Sequence, residues 1–269
     1  MNRKEILEKY KKEEEILLIS KVLDKICFVK EKNKVMTTDF LDPYEQTIVE
    51  KELRHLKIAE YLFFGGYKEA ERKILILYPE KLRDLFQNEK WKPNNYLHVL
   101  RISLPKALEG VYKHRDYLGG IMKLGVKREK IGDILVGEEG ADIIILPEIE
   151  NYLQYNVPEL TRFQKAKMEI ELIENIRESN IKTEVFEIQV ASMRNDCVVA
   201  ELMHTSRKKA CEVIKSGRVF INFIPEVKEA KEIKEQDRIT IRGKGRFCIK
   251  AWVRNTKSGR DVLKIEKYV

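Results

Sequence analysis

The sequence predicts an α+β protein in three parts: an N-terminal helical and β region at residues 1–90, an α/β middle domain at 91–180, and a C-terminal domain at 183–269. Three observations predict this architecture. Apolar residues recur at helical spacing near the N-terminus, strand and helix patterns alternate through the middle, and basic residues are concentrated after residue 190.

The N-terminal region has charged residues between apolar ones at helical spacing over residues 1–30, which predicts one helix or a pair of helices. The segment TTDFLDPYEQTIVEKELRHL (37–56) predicts a turn at Asp42-Pro43 and then a helix, because Pro suits the first helical turn and acidic side chains complement it. The segment AEYLFFGGYKEAERKILILYP (59–79) predicts two strands joined at a Gly-Gly turn.

The middle domain follows the polar run QNEKWKPNN (87–95), which marks a boundary. Its predicted elements are the strand YLHVLRISL (96–104), the helix HRDYLGGIMKLG (114–125), the strands KIGDILVG (130–137) and ADIIILPE (141–148), the helix IENYLQYN (149–156) and the strand AKMEIELIE (166–174). The order βαββαβ is that of ferredoxin-like and RRM-like folds. The run ADIIILP lacks the aromatic residues that RNA-recognition folds place on this strand, so stacking of bases on the sheet is not predicted.

The triplet His114-Arg115-Asp116 also opens the catalytic loop of protein kinases, in which an Asn five residues after the Asp holds magnesium. Here that position is Ile121, which cannot bind a metal, so the sequence excludes a kinase. Two interpretations stay open: a helix cap with a solvated basic turn, or a second contact with nucleic acid. The second contact would comprise His114, Arg115, Lys123, Lys127 and Arg128.

The formal net charge of +8 is unevenly distributed. Residues 191–269 contain 19 Lys and Arg against 10 Asp and Glu, a net charge of +9, so residues 1–190 carry −1. A small domain with this excess of positive charge favours a polyanionic partner, and nucleic acid is the first candidate.

The segment SMRNDCVVAELMHTSRKKACEVIKSGRVFINF (192–223) predicts two helices and a strand. The first helix should run from about residue 193 to residue 202, Ser206 should cap the second, and Gly217 should end it before the strand RVFINF. Three cations follow Ser206 directly. Cations in a first helical turn oppose the helix dipole at a cost of about 0.3–1 kcal/mol each, which favours a bound anion such as phosphate.

This segment resembles the S-four RNA-binding domain, an αL-type domain. The matching residues are Arg194 and Asp196 on the first helix, then Ser206, Arg207, Ala210, Ile214, Gly217, Val219 and Asn222, and the closing segment EQDRITIRGKGRF (235–247). Phe223 departs from the pattern, since many such domains have a turn glycine there. The resemblance implies an RNA surface, and we expect Asp196 to orient a neighbouring Arg. The predicted RNA-binding residues are Arg194, Ser206, Arg207, Lys208, Lys209, Lys215, Arg218, Arg242, Lys244 and Arg246.

The whole chain resembles the YlmH-type proteins of Gram-positive and related bacteria. The shared motifs are F-L-D-P (40–43), G-G-Y with A-E-R (65–72) and the segment that runs from His114 to Ile134. The resemblance implies a cytoplasmic, non-enzymatic protein that binds structured rRNA and tRNA. It further implies a place on the large ribosomal subunit with stalled peptidyl-tRNA, in ribosome-associated quality control.

The alternative is an RNA-modifying enzyme, similar to pseudouridine synthases, that docks its substrate through the S-four domain. HRDYLGGIM lacks the Thr-Ser-Gly of the synthase motif, and the nucleotide-binding motifs of tyrosyl-tRNA synthetases are absent from the sequence. The four cysteines form no C-x-x-C pair and no apolar run is long enough to span a membrane. From these two features we expect reduced thiols and no membrane contact. We also expect a monomer with no cofactor, no metal and no small-molecule substrate.

Overall fold

The computed structural model describes residues 3–88, 91–177 and 183–268. The chain forms two compact units, Met1–Ser179 and Asn180–Val269, each of which packs helices on antiparallel strands. The predicted α+β class is therefore confirmed. The predicted domain boundaries, at residue 90 and at residues 180–183, fall on or beside residues outside the described ones and stay predictions.

From residue 3 to residue 77, the first half of the first unit forms three α-helices and a small sheet. They are α1 (Arg3–Leu7), α2 (Glu13–Lys32), β1 (Met36–Thr37), α3 (Pro43–His55), β2 (Tyr61–Phe64) and β3 (Ile74–Leu77), with the strands in the order β1-β3-β2. Helix α3 begins as predicted: Asp42 accepts a hydrogen bond from the Glu45 N–H at 2.8 Å, and Glu45 accepts one from the Asp42 N–H at 2.7 Å. This reciprocal capping box fixes the helix start.

The second half of the first unit has strands and helices in the order βαββαβ after a short helix. They are α4 (Arg83–Gln87), β4 (His98–Ser103), α5 (His114–Lys123), β5 (Ile131–Gly137), β6 (Gly140–Ile145), α6 (Glu150–Asn156) and β7 (Lys167–Leu172). The four strands pair in the order β5-β6-β4-β7, and all neighbours are antiparallel.

Both faces of this four-stranded sheet are buried. Because successive side chains of a strand point to opposite faces, Leu100 and Ile143 pack against Tyr117 of α5, whereas Val99 and Ile144 point the other way. Val99 and Ile144 join a core with side chains from the first half of the unit. That core includes Phe40, Ile74, Ile76, Tyr78 and Phe86. Residues from both predicted N-terminal domains thus share one core.

The family motifs of the first unit meet at one carboxylate. Asp133 accepts hydrogen bonds from the Tyr67 hydroxyl at 2.9 Å, the Glu71 N–H at 2.7 Å and the Arg72 N–H at 3.1 Å. Burial and this carboxylate raise the pKa of Tyr67. The Arg72 guanidinium donates in turn to the Phe40 carbonyl at 3.1 Å. These motif residues therefore hold the two halves of the unit together.

Over residues 183–268, the second unit forms a six-stranded antiparallel sheet with two α-helices. Its elements are β8 (Thr183–Val190), α7 (Asn195–Leu202), α8 (Arg207–Lys215), β9 (Val219–Ile221), β10 (Ile224–Pro225), β11 (Arg238–Ile241), β12 (Gly245–Asn255) and β13 (Asp261–Tyr268), in the sheet order β10-β9-β11-β12-β13-β8. The helices bury Val198, Ala210 and Ile214 against one face of the sheet. As predicted, Gly217 follows α8 in the left-handed region, at φ +69°.

Two predictions for the second unit were wrong in detail. Helix α7 begins at Asn195 rather than Met193, because Arg194 is extended and occupies the N-cap position. The predicted strand RVFINF is interrupted because Asn222 and Phe223 have φ of 49° and 67° and form the turn between β9 and β10. Within the described residues, no helix is both long enough and apolar enough to cross a bilayer.

Candidate nucleic-acid interface

Asp196, in the first turn of α7, holds two arginines. Its carboxylate accepts from Nε and NH2 of Arg194 at 3.1 and 3.0 Å, and from Nε and NH2 of Arg207 at 3.0 and 2.7 Å. The Asp196 side chain is 3% exposed, whereas those of Arg194 and Arg207 are 42% and 56% exposed. The buried carboxylate thus holds both guanidiniums in place on the protein side, while their opposite edges face solvent.

The electrostatics of this cluster favour an anion. Burial alone would raise the pKa of Asp196, but hydrogen bonds from Arg194 and Arg207 outweigh burial and lower it to about 2. One permanent negative charge faces two permanent positive charges, so the cluster keeps a net charge of +1. The predicted orienting role of Asp196 agrees with this geometry.

Helix α8 presents its N-terminus beside the cluster. The Ser206 hydroxyl accepts from the Lys209 N–H at 3.3 Å and caps the helix as predicted. Arg207, Lys208 and Lys209 are all exposed. Consecutive helical residues point about 100° apart, so the three side chains spread around the first turn instead of converging on one point. Arg207 is the one that turns to Asp196.

Two further predicted residues lie at the end of α8. Lys215 is exposed and pairs with Glu229 at 3.2 Å, and Arg218 is exposed and donates from Nε to the Ser216 hydroxyl at 3.0 Å. The pairing with Glu229 reduces the positive charge that Lys215 contributes, so Arg218 is the stronger candidate of the two.

The remaining predicted cations, Arg242, Lys244 and Arg246, belong to the other side of the sheet, away from the helices. Phe220 alternates with buried Val219 and Ile221 and is in register with Thr240, which pairs in turn with Arg246. The helices cover the face of Val219, so Phe220 and Arg246 point away from α7 and α8. The predicted residues of the second unit therefore occupy two surfaces rather than one.

Guanidiniums and aromatic rings meet on this second surface. Arg242 lies over the Phe220 ring at 4.9 Å, and Arg246 and Arg238 lie 5.7 and 6.0 Å from the centre of the Phe223 ring. Lys244 is exposed in the turn after β11. Sequence reasoning missed Arg238 and both phenylalanines. The alternation of apolar residues in β9 and β11 is the signal that could have placed Phe220 and Arg238 on one face.

Comparison with known proteins identifies the first unit. Residues 14–82 match the family model described as "YlmH, N-terminal", and residues 93–176 match the one described as "Putative RNA-binding domain in YlmH". The chain belongs to the YlmH family. It is 28% identical over 265 residues to "Ribosome-associated protein quality control protein P2" of Bacillus subtilis (strain 168). The aligned region covers 98% of this chain and 98% of that protein.

A solved structure also matches this YlmH-family chain. It is "Cell division protein ylmH from Streptococcus pneumoniae", with a TM-score of 0.46 and 21% identity over 62% of this chain and 98% of that one. The two matched ranges begin within α2 and end just after β7, at residue 176, so neither range reaches α7 or α8.

In the YlmH-family motif HRD, Asp116 has a structural role. Its carboxylate accepts from the Lys113 N–H at 2.9 Å, which caps α5, and pairs with Arg162 at 3.3 Å. The same unit has a broad cleft of about 1270 Å³, but neither His114 nor Asp116 lines it, so the two side chains do not meet in that cleft as a catalytic pair would. The helix-cap interpretation of this motif agrees with these contacts.

One member of the predicted second contact, Arg128, is engaged within the protein. Arg128 is half-buried and donates from NH1 to the carbonyls of Ile131 at 2.5 Å and Gly132 at 3.1 Å. Burial, together with the nearby Arg72, lowers the pKa of Arg128 to about 10. These contacts occupy part of the guanidinium, and an RNA contact by Arg128 stays a prediction. The other members, His114, Arg115, Lys123 and Lys127, are exposed.

Proposed function

We propose that this chain is a non-enzymatic RNA-binding protein that holds structured rRNA or tRNA through the surface of α7 and α8. The observation that carries the proposal is the Asp196 cluster, in which a buried carboxylate fixes Arg194 and Arg207 while their outer edges face solvent. A fixed guanidinium presents its N–H groups in a planar fork that matches a phosphate and loses little conformational entropy on binding.

The surroundings of the cluster support the same function. Lys208 and Lys209 add exposed positive charge at the N-terminus of α8, where helix N–H groups also favour an anion. Phosphate contacts of this kind position a protein on RNA without reading its sequence. The arrangement therefore suits a structured RNA whose backbone has a defined shape.

The proposed cellular role is ribosome-associated quality control on the large subunit with stalled peptidyl-tRNA. It rests on the printed name of the Bacillus subtilis relative and on the description of residues 93–176 as an RNA-binding domain. The strand order β5-β6-β4-β7 supports an RRM-like middle domain, and the α7–α8 arrangement supports an S-four domain. We place the protein in the cytoplasm, as a monomer.

The test is co-sedimentation of the full chain with purified large ribosomal subunits. Arg207→Ala with Lys208→Ala removes two exposed cations, and we expect this variant to lose co-sedimentation while its circular dichroism spectrum is unchanged. Lys32→Ala with Lys34→Ala, two exposed lysines of the first unit, is the control with the same charge loss. Normal co-sedimentation of the folded Arg207–Lys208 variant would refute the site.

A further inference from the structure

The middle sheet cannot bind RNA in the way that RNA-recognition folds do. Those folds stack bases on aromatic side chains of an open sheet face. Here Val99 and Ile144, in the centre of the sheet, have no exposed surface, and Phe40 and Ile76 cover them from the first half of the unit. A base could reach this face only if the shared core opened. RNA contact in this region therefore requires another surface.

Helix α5 offers such a surface on the side that points away from the sheet. Tyr117, Gly120 and Ile121 are buried on its inner side. Arg115 and Lys123 are exposed at positions i and i+8, which places them on the outer side and about 12 Å apart along the helix axis. Gly119, four residues from each, lies between them.

Gly119 has no packing reason to be glycine. A Cβ atom built there would meet no heavy atom within 4 Å, whereas one at Gly120 would lie 2.9 Å from the Phe163 ring. Glycine within a helix is less favourable than alanine, so a glycine with open space around it is a cost to the fold. Its effect is a shallow gap between Arg115 and Lys123 into which a ligand backbone can come close.

The charge of this helix suits an anionic ligand. Asp116 is the one acidic residue in the α5 sequence, and it is engaged by the Lys113 N–H and by Arg162. Lys113 and Lys127, just outside the helix ends, are exposed and add positive charge.

We propose that the outer side of α5 is a second RNA-binding surface, on which Arg115 and Lys123 hold phosphates and Gly119 admits the sugar–phosphate backbone. The inference rests on the proposed function, because it assumes that the protein binds structured RNA. It adds the residues and the surface by which the first unit takes part, and it replaces recognition on the sheet by recognition on a helix.

The test is the affinity of the full chain for purified large ribosomal subunits as a function of salt. Arg115→Ala with Lys123→Ala should weaken binding by about tenfold for each charge-assisted hydrogen bond that it removes, and should reduce the slope of log K against log salt by about 2. Gly119→Leu changes no charge, and it should weaken binding by filling the gap while the slope stays nearly constant. Lys32→Ala with Lys34→Ala should bind as the wild type does.

The outcomes separate this inference from the proposed function. Wild-type affinity and slope for both α5 variants would overturn the inference, whether or not the α8 surface binds RNA. The Arg207→Ala, Lys208→Ala variant, measured in the same series, shows whether the proposed function fails as well. Weakening by the α5 charge variant but not by Gly119→Leu would overturn the close approach at Gly119.

Discussion

Asp196→Asn is the change that most sharply separates a positioned cluster from simple attraction by net charge. The substitution keeps the shape of the side chain but removes the charge that holds Arg194 and Arg207, and it raises the net charge of the protein by one. If positive charge alone bound RNA, affinity would rise. Because the amide cannot accept from two guanidiniums as the carboxylate does, we expect affinity to fall by about tenfold, the equivalent of one charge-assisted hydrogen bond.

The Asp196 cluster also stabilises the folded protein, and the lowered pKa of Asp196 limits how large this contribution can be. The pKa lowered from 3.8 to about 2 favours the folded protein at neutral pH by at most about 2 kcal/mol, because solvent screens the two exposed arginines. Since the folded-state pKa is the lower one, this stability is fully present above about pH 4 and is lost as the pH falls towards 2. Asp196→Asn should lack this part of the pH dependence.

Two assays check this prediction. Urea unfolding between pH 2 and pH 7 measures the contribution to stability, and binding of purified large ribosomal subunits by the folded variant measures the contribution to function. Glu201→Gln, an exposed carboxylate on the same helix, is the matched control. Equal or tighter binding by Asp196→Asn at every salt concentration would refute the positioning role.

Four further substitutions test the fold that supports the sites. Asp133→Asn should destabilise the protein by about 2 kcal/mol, since the amide cannot accept the three hydrogen bonds that the carboxylate takes, as urea unfolding would show. Gly120→Ala should lower the melting temperature, because it forces a Cβ against Phe163. Gly119→Ala should raise the melting temperature, because alanine in an open helical position adds up to about 1 kcal/mol to the free energy of unfolding. Ser206→Ala should cost about 1 kcal/mol through loss of the α8 cap.

For each of these predictions, one outcome would contradict the physical reason given. An Asp133→Asn protein as stable as the wild type would show that the carboxylate does not join the two halves of the unit. Equal melting temperatures for the two glycine variants would contradict the difference in space around them. Full stability of Ser206→Ala, with Thr205→Ala as its neighbouring control, would show that the cap bond is not formed in solution.

Local signals predicted the elements well. Asp42-Pro43, Ser206 and Gly217 act within a few residues of themselves, so the sequence places the helix boundaries that depend on them. The order of strands and helices over 96–174 follows from the same local periodicity. The charge asymmetry likewise marked residues 191–269 as the basic part of the chain, because it depends only on composition.

Long-range contacts set the limits of prediction. Nothing near Asp196 in the sequence shows that Arg207, eleven residues later, completes its pairing. The contacts of Arg128 with the carbonyls of β5 are local, but no sequence pattern sets the direction of that side chain. The apolar run IIIL (143–146) indicates a strand buried on both faces, but only the structure shows that Phe40 and Ile76 cover the second face. Side-chain networks of this kind depend on tertiary structure rather than on local pattern.

The most direct test of the central claim is the salt dependence of binding by the full wild-type chain to purified large ribosomal subunits. Contacts from Arg194, Arg207, Lys208, Lys209 and Arg218 predict a slope of log K against log salt of about −4 or steeper, reduced by about 2 in the Arg207→Ala, Lys208→Ala variant. A nearly flat slope, or one that this variant leaves unchanged, would contradict binding through phosphates at α7 and α8.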